Sequence, residues 1–310
     1  MARRRQLRQG PNPPAIQLRR TLKTLGLRPK KSLGQHFLVD MQVLGHILAA
    51  ADLSPSDVVI EVGPGLGVLT KEIAKKVHQV IAVELDDGLT EFLQQSLGSF
   101  PNVNIVHSDI LQSDPAALLS PLGAPTPTYK VIADLPYYIT SPVLRHFLEA
   151  SVKPSCMVLM VQKEVGLAIA SDRGNTSLLA VSVQFYGKPT VVKHVSSRSF
   201  HPQPKVDSVI LRIDLYNEPA VHVPSPDEFF RVVRAGFSTR RKQLRNALAQ
   251  GLQISPPDAL VLLDEAGIDR QRRAESLSLE EWAALCHAIS VHKQTGAIHE
   301  HVEAGRPLPQ

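Results

Sequence analysis

The chain has 310 residues, 43% of them hydrophobic and 20% charged, with a net charge of +5. That is the composition of a globular protein with room for two domains. No apolar run approaches the roughly 18 residues a membrane-spanning helix needs, and the Met-Ala-Arg-Arg-Arg start lacks the apolar core of a secretory signal. The two cysteines, Cys156 and Cys286, are far apart and in no metal-ligand spacing, which argues against a disulfide framework and a bound metal and for a reducing, cytoplasmic setting.

The charge is unevenly spread. Ten Lys or Arg fall between Arg3 and Lys31, before the first acid, Asp40, and the remainder carries 24 basic against 29 acidic residues. A basic arm on a mildly acidic body suits a polyanionic partner. A solvated tail and an organellar transit peptide are the other readings of the same segment.

In chain order, residues 1–15 are Arg-, Pro- and Gly-rich and read as disordered. Helical spacing marks 16–27, ahead of Pro29, and a second helix is predicted from Val39 to Ala51. Short β-branched runs then recur at 57–62, 79–84, 103–107, 130–134 and 156–161, with helical segments such as 68–77 and 87–97 between most of them. This alternation predicts an α/β fold with a mainly parallel sheet covered on both faces. Runs at 190–195 and 208–213 would close the sheet as a hairpin-like pair. Beyond Pro219 the strand signal ends, and 226–237, 240–250, 257–266 and 278–289 read as amphipathic helices. The expected division is a basic arm at 1–29, an α/β domain at 30–216, an all-α domain at 217–292 and a flexible tail at 293–310, where His299-Glu300-His301 is expected to be disordered rather than metal-binding.

The first strand runs into Gly63-Pro64-Gly65-Leu66-Gly67. Glycines let a backbone turn sharply and approach a ligand closely, and a helix N-terminus follows. The spacing is GxGxG, not the GxGxxG of dinucleotide sites. Glu84 ends the second strand and Asp109 follows the third, placing acceptors for ribose hydroxyls and an adenine amino group at the carboxyl edge of the sheet, where open α/β folds bind ligands. Each acid taken singly is equally a helix cap. NAD and S-adenosylmethionine both satisfy this much.

The fourth strand ends in Asp134-Leu135-Pro136-Tyr137. The exocyclic N6 of adenine is a poor nucleophile because its lone pair is delocalised into the ring. Two acceptors, the Asp134 side chain and the Leu135 carbonyl, would favour a pyramidal, more nucleophilic nitrogen. Pro136 would stiffen the turn, and Tyr137 offers a ring for an extruded base to stack on.

These segments, with Lys31-Ser32-Leu33-Gly34-Gln35-His36-Phe37-Leu38, the 200–208 run FHPQPKVDS, Arg240-Arg241-Lys242-Gln243-Leu244-Arg245-Asn246 and Arg273-Ala274-Glu275, resemble the ribosomal RNA adenine dimethyltransferase family in order and spacing over about residues 16–290. The resemblance implies a seven-stranded, Rossmann-like class I methyltransferase domain with a small helical domain after it. It implies an S-adenosylmethionine site drawing on His36, Leu38, Gly63, Gly65, Glu84, Asp109 and Asp134, with Tyr137 and Phe200 flanking the target base. It further implies dimethylation of two adjacent adenosines in the 3′-terminal hairpin of small-subunit rRNA, within a 30S assembly intermediate, by a monomer. Arg240, Arg241, Lys242 and Arg245 are expected to track RNA phosphates. The family usually has Asn where this chain has Asp134. The alternatives are a resistance-type methylase acting on large-subunit rRNA, a non-catalytic assembly or RNA-binding factor, and a dehydrogenase.

Overall fold

The computed structural model describes residues 18, 20, 22–24, 26–123, 128–171, 176–239 and 242–295. Most of the basic arm, the His299-Glu300-His301 motif, Arg240 and Arg241 lie outside these. Of the helix expected over 16–27, Leu18, Arg20 and residues 22–24 are helical.

Among the described residues, seven strands form one sheet: β2 (Val58–Val62), β3 (Gln79–Glu84), β4 (Val103–His107), β5 (Tyr129–Asp134), β6 (Cys156–Gln162), β7 (Gly187–Val195) and β9 (Ser208–Leu215). Their order is β4-β3-β2-β5-β6-β9-β7. The pairs β2–β3, β3–β4, β2–β5 and β5–β6 are parallel, and β9 lies antiparallel to β6. Every residue of β2 is buried, as expected of a central strand covered on both faces, whereas edge strand β4 is only partly so. Two further short strands, β1 (Phe37–Leu38) and β8 (Phe200–His201), pair antiparallel outside this sheet.

Helix α1 (Met41–Ala51) starts where Asp40 accepts a hydrogen bond from the Gln42 amide at 3.0 Å. Its Leu44 and Ile47 pack with Ile73 of α2 (Val68–Ala74) against Val59, Ile132 and Val158 of the sheet. Asp86 caps α3 (Asp87–Leu97), and Asp114 with Pro115 starts α4 (Pro115–Leu119). Each is a side-chain acceptor for an amide the helix leaves unpaired. Helix α5 (Thr140–Leu148) follows the turn after β5, and α6 (Lys163–Ile169) and α7 (Leu178–Tyr186) follow β6.

The chain divides into two compact units, Met1–Gly166 with Thr190–Asp214, and Leu167–Pro189 with Leu215–Gln310. The contiguous boundary expected at 216/217 therefore differs from the packing. The physical reason is α7: its Val181 and Phe185 are buried among α8 (Pro226–Phe237), α9 (Leu244–Leu252), α10 (Pro256–Glu265) and α11 (Leu279–Thr295). Phe185 stacks on Phe229 with ring centroids 4.6 Å apart. Trp282 is fully buried against Gly236, where a Cβ would come within 2.4 Å of its ring.

Candidate active site

The carboxyl ends of β2 to β5 open on one pocket of about 1420 Å³, its mouth included. The 63–67 loop forms one wall. Gly63, Gly65 and Gly67 all hold positive φ (68°, 59° and 72°), a region costly for residues with a Cβ. A Cβ at Gly65 would meet the Phe37 ring at 3.3 Å, and one at Gly67 would meet Leu93 at 2.9 Å.

Glu84 ties this loop to the next strand. One carboxyl oxygen accepts from the Gly65 amide at 3.1 Å, the other from the Leu85 and Asp86 amides at 3.0 and 2.9 Å. Its pKa is nevertheless raised, because burial of the charge outweighs these bonds. Asp109 accepts from the Leu111 amide through Oδ1 at 3.0 Å, and its Oδ2 takes no hydrogen bond from a described residue. Both acids thus combine a local structural bond with acceptor capacity facing the pocket.

Asp134 and Leu135, at the end of β5, line the floor with Pro136 and Tyr137. The Asp134 carboxyl has no hydrogen-bond or ion-pair partner among the described residues, and burial pushes its pKa up to about 7. The Tyr137 hydroxyl shares a hydrogen bond with Ser208 Oγ at 2.9 Å, and its ring stacks against His36 with centroids 6.1 Å apart. Gly34 fits beneath the same turn: a Cβ there would lie 3.3 Å from Tyr138 and 3.4 Å from Pro136.

The β1–β8 pair joins two motifs more than 160 residues apart. Leu38 is in register with Phe200 and Phe37 with His201. The Val39 amide donates to Ser199 O at 2.8 Å, Ser199 Oγ donates to Asp40 at 3.0 Å, and His36 Nδ1 donates to the Pro202 carbonyl at 2.6 Å. His36, Leu38 and Phe200 thereby reach the pocket wall. Phe200 is only 4% exposed, packed with the sheet core. All the expected cofactor and base-facing residues meet at this one pocket. Of the expected RNA-contacting residues, Lys242 and Arg245 belong to the other compact unit, where they are exposed and lack an ion-pair partner among the described residues.

Sequence reasoning missed Glu61. It sits on β2, 2% exposed, lines the pocket, and its Oε2 has no hydrogen-bond partner among the described residues. Burial pushes its pKa up to about 8, with the Glu84 charge adding to the rise. An acid inside a β-branched run destined for the centre of a parallel sheet was the available signal.

Glu61, Glu84, Asp109 and Asp134 form a row of acids along four adjacent strand ends, and no Lys or Arg lines the pocket among the described residues. A dinucleotide pyrophosphate would meet four acids here, with the backbone amides of the glycine loop as its main attraction. A cationic sulfonium nucleoside, rich in ammonium, hydroxyl and amino donors, fits both the charge and the orphaned Glu61 oxygen. Fold and pocket together define a Rossmann-like methyltransferase that uses S-adenosylmethionine.

Comparison with known proteins narrows the class. The profile of the ribosomal RNA adenine dimethylase family matches residues 26–290. A ribosomal RNA small subunit methyltransferase A of Dehalococcoides mccartyi is 54% identical over 260 residues, covering 84% of this chain and 88% of the relative. One from Moorella thermoacetica is 43% identical, with 85% and 93% covered. Among solved structures, the 23S rRNA methyltransferase ErmE superposes with a TM-score of 0.65 at 28% identity, covering 82% of this chain and 99% of its own. A Plasmodium falciparum dimethyladenosine transferase shares the fold with a TM-score of 0.70 at 24% identity, covering 84% and 98%. The chain belongs to the ribosomal RNA adenine dimethylase family, and it is an rRNA adenine N6-methyltransferase.

Proposed function

We propose that the chain transfers methyl groups from S-adenosylmethionine to two adjacent adenosines in the 3′-terminal hairpin of small-subunit rRNA, within a 30S assembly intermediate in the cytoplasm. The observation that carries this reading is the 54% identity to a small-subunit rRNA methyltransferase over most of both chains, together with a pocket whose acids suit the cofactor. A large-subunit target is the second reading, favoured by the likeness to the 23S rRNA methyltransferase at 28% identity.

Glu84 would accept from the ribose hydroxyls, Asp109 from the adenine amino group, and Glu61 from the methionyl ammonium. The glycines at 63 and 65 leave the backbone open to close approach. Bound there, the cofactor supplies an electrophilic methyl group. Tyr137 would stack the extruded target base, steadied by Ser208 and His36, with Phe200 closing the wall behind it. Asp134 and the Leu135 carbonyl would accept from the N6 hydrogens and orient the lone pair, so rate comes mainly from positioning. Lys242 and Arg245 would contact phosphates, which hold RNA in place without reading its sequence.

Primer extension tests the target, because a dimethylated adenine blocks reverse transcription. After incubation with unmethylated ribosomal subunits and cofactor, stops at the small-subunit 3′ hairpin are expected. Stops confined to large-subunit rRNA would overturn the reading.

A further inference from the structure

The pocket's acids differ in how they are held. Glu84 accepts three backbone amides, Asp109 accepts one, and Asp40 is bonded to the Gln42 amide and the Ser199 hydroxyl. Asp134 has no such bond among the described residues, although it lies at the end of β5 beside the turn that carries Pro136 and Tyr137. A carboxyl group left free at that point has both oxygens available to the substrate. The family usually has an amide there, which can accept a hydrogen bond but cannot take up a proton.

We propose that the Asp134 carboxylate is the proton acceptor for the target N6, a role additional to its hydrogen-bond acceptance. This rests on the reading of the pocket as the adenine N6 methylation site. In the step, the N6 lone pair forms a bond to the methyl carbon of the sulfonium donor. The carbon–sulfur bond breaks, its electron pair stays on sulfur, and N6 becomes cationic with one hydrogen in excess. That proton passes to an Asp134 oxygen and from there to solvent once product leaves. A second round on the monomethylated nitrogen repeats the transfer. Only one N–H remains then, so an arrangement that merely accepts from two hydrogens loses half its grip, whereas a proton acceptor serves both rounds.

Asp134 must be ionised to act, so rate should rise with pH. Burial holds its pKa at about 7 in the free protein, and a sulfonium cation beside it favours the carboxylate form. The active limb therefore lies at or below about pH 7 once the donor is bound. Donor affinity should also rise with pH through the same range, since binding draws the proton off. The other ionisable groups around the pocket are His36 from the N-terminal segment, Asp40 ahead of α1, Glu61 on β2, Glu84 on β3, Asp109 after β4, and Tyr137 and Tyr138 in the turn. Glu61 and Glu84 are also raised by burial, and Glu61, which accepts no backbone amide among the described residues, serves as the control.

The test combines two readouts on the full chain, with small ribosomal subunits lacking dimethyladenosine as substrate. The first is the single-turnover rate from pH 5.5 to 9. The wild type should lose about tenfold per pH unit on the acid side, the slope of one proton. Asp134→Asn should be slow and flat, Asp134→Glu slow but still sloped, and Glu61→Gln should keep the slope. The second is calorimetric binding of S-adenosylmethionine and of its neutral thioether product. Wild-type affinity for the cation should strengthen with pH more steeply than that for the thioether, which shares the ammonium but not the sulfonium charge, and Asp134→Asn should lose the difference. A flat wild-type profile would overturn the proposal, as would an Asp134→Asn protein with wild-type rate and slope. Absence of methyl transfer by the wild type at every pH would instead count against the site reading itself.

Discussion

Glu61 places an ionisable group where both faces of a strand are covered, and one of its oxygens has no partner among the described residues. The sign of the consequence follows from its raised pKa of about 8 against an ordinary 4.5. The folded protein holds the proton more tightly than the unfolded chain, so this contribution to stability is full below about pH 4.5 and is lost as pH rises through 8. Denaturant titrations at pH 5 and pH 8.5 should show the loss, and Glu61→Gln should shrink it; an unchanged pH dependence in the variant would show that Glu61 is not its source. Gly65 makes a second residue-scale case. Alanine there must hold a φ of 59° and crowd the Phe37 ring, at a cost of about 1–2 kcal/mol. Calorimetry should find cofactor binding weakened as well, because the same loop forms the pocket wall. The glycines, Glu84, Asp109 and Asp134 were legible in the sequence because each follows a β-branched run and so falls at a strand end. Glu61 was overlooked although an acid inside a β-branched run is a signal of its own, because that signal marks burial and does not by itself say that the side chain faces a pocket.

At the scale of elements, the site depends on a pairing only two residues long. Phe37–Leu38 and Phe200–His201 hold the two walls together, reinforced by the Asp40–Ser199 and His36–Pro202 bonds. A run this short has no periodicity, so the sequence marked both segments as parts of one site without revealing that they pair. Asp40 serves two elements at once, capping α1 and accepting from Ser199. Asp40→Ala should cost about 1–2 kcal/mol by denaturant unfolding, the worth of a cap, and weaken cofactor binding more than a remote cap mutation of equal cost. The turn after β5 yields a paired test. Tyr137→Phe loses the bond to Ser208 and keeps the ring, so kcat should fall only modestly. Tyr137→Ala loses the stacking surface, worth about 1–3 kcal/mol, or roughly five- to 150-fold in rate. Equal losses in the two variants would mean that the hydroxyl, and not the ring, is what matters.

For the whole molecule, the alternation of strands and helices and the helical character of residues 226–289 were readable from spacing. The strand order was not, and the last helix runs on to Thr295 where a tail was expected from 293. The division of the chain was also hard to read. α7 lies between two strands in sequence but buries Val181 and Phe185 among the later helices, and a chain that leaves one unit and returns leaves no composition shift to mark it. Charge separates by location: acids line the pocket, while exposed Lys242 and Arg245 lie in the helical unit. If these two contact phosphates, Lys242→Ala and Arg245→Ala should each lower the salt dependence of RNA binding by about 0.7–0.9 in log–log slope, with cofactor affinity unchanged. The central claim is best tested by incubating small ribosomal subunits that lack adenine dimethylation with the protein and labelled S-adenosylmethionine, then mapping the rRNA fragments by mass. Two adjacent N6,N6-dimethyladenosines in the 3′-terminal hairpin are the predicted result. Label in large-subunit rRNA, or none at all from protein that binds the cofactor, would contradict it.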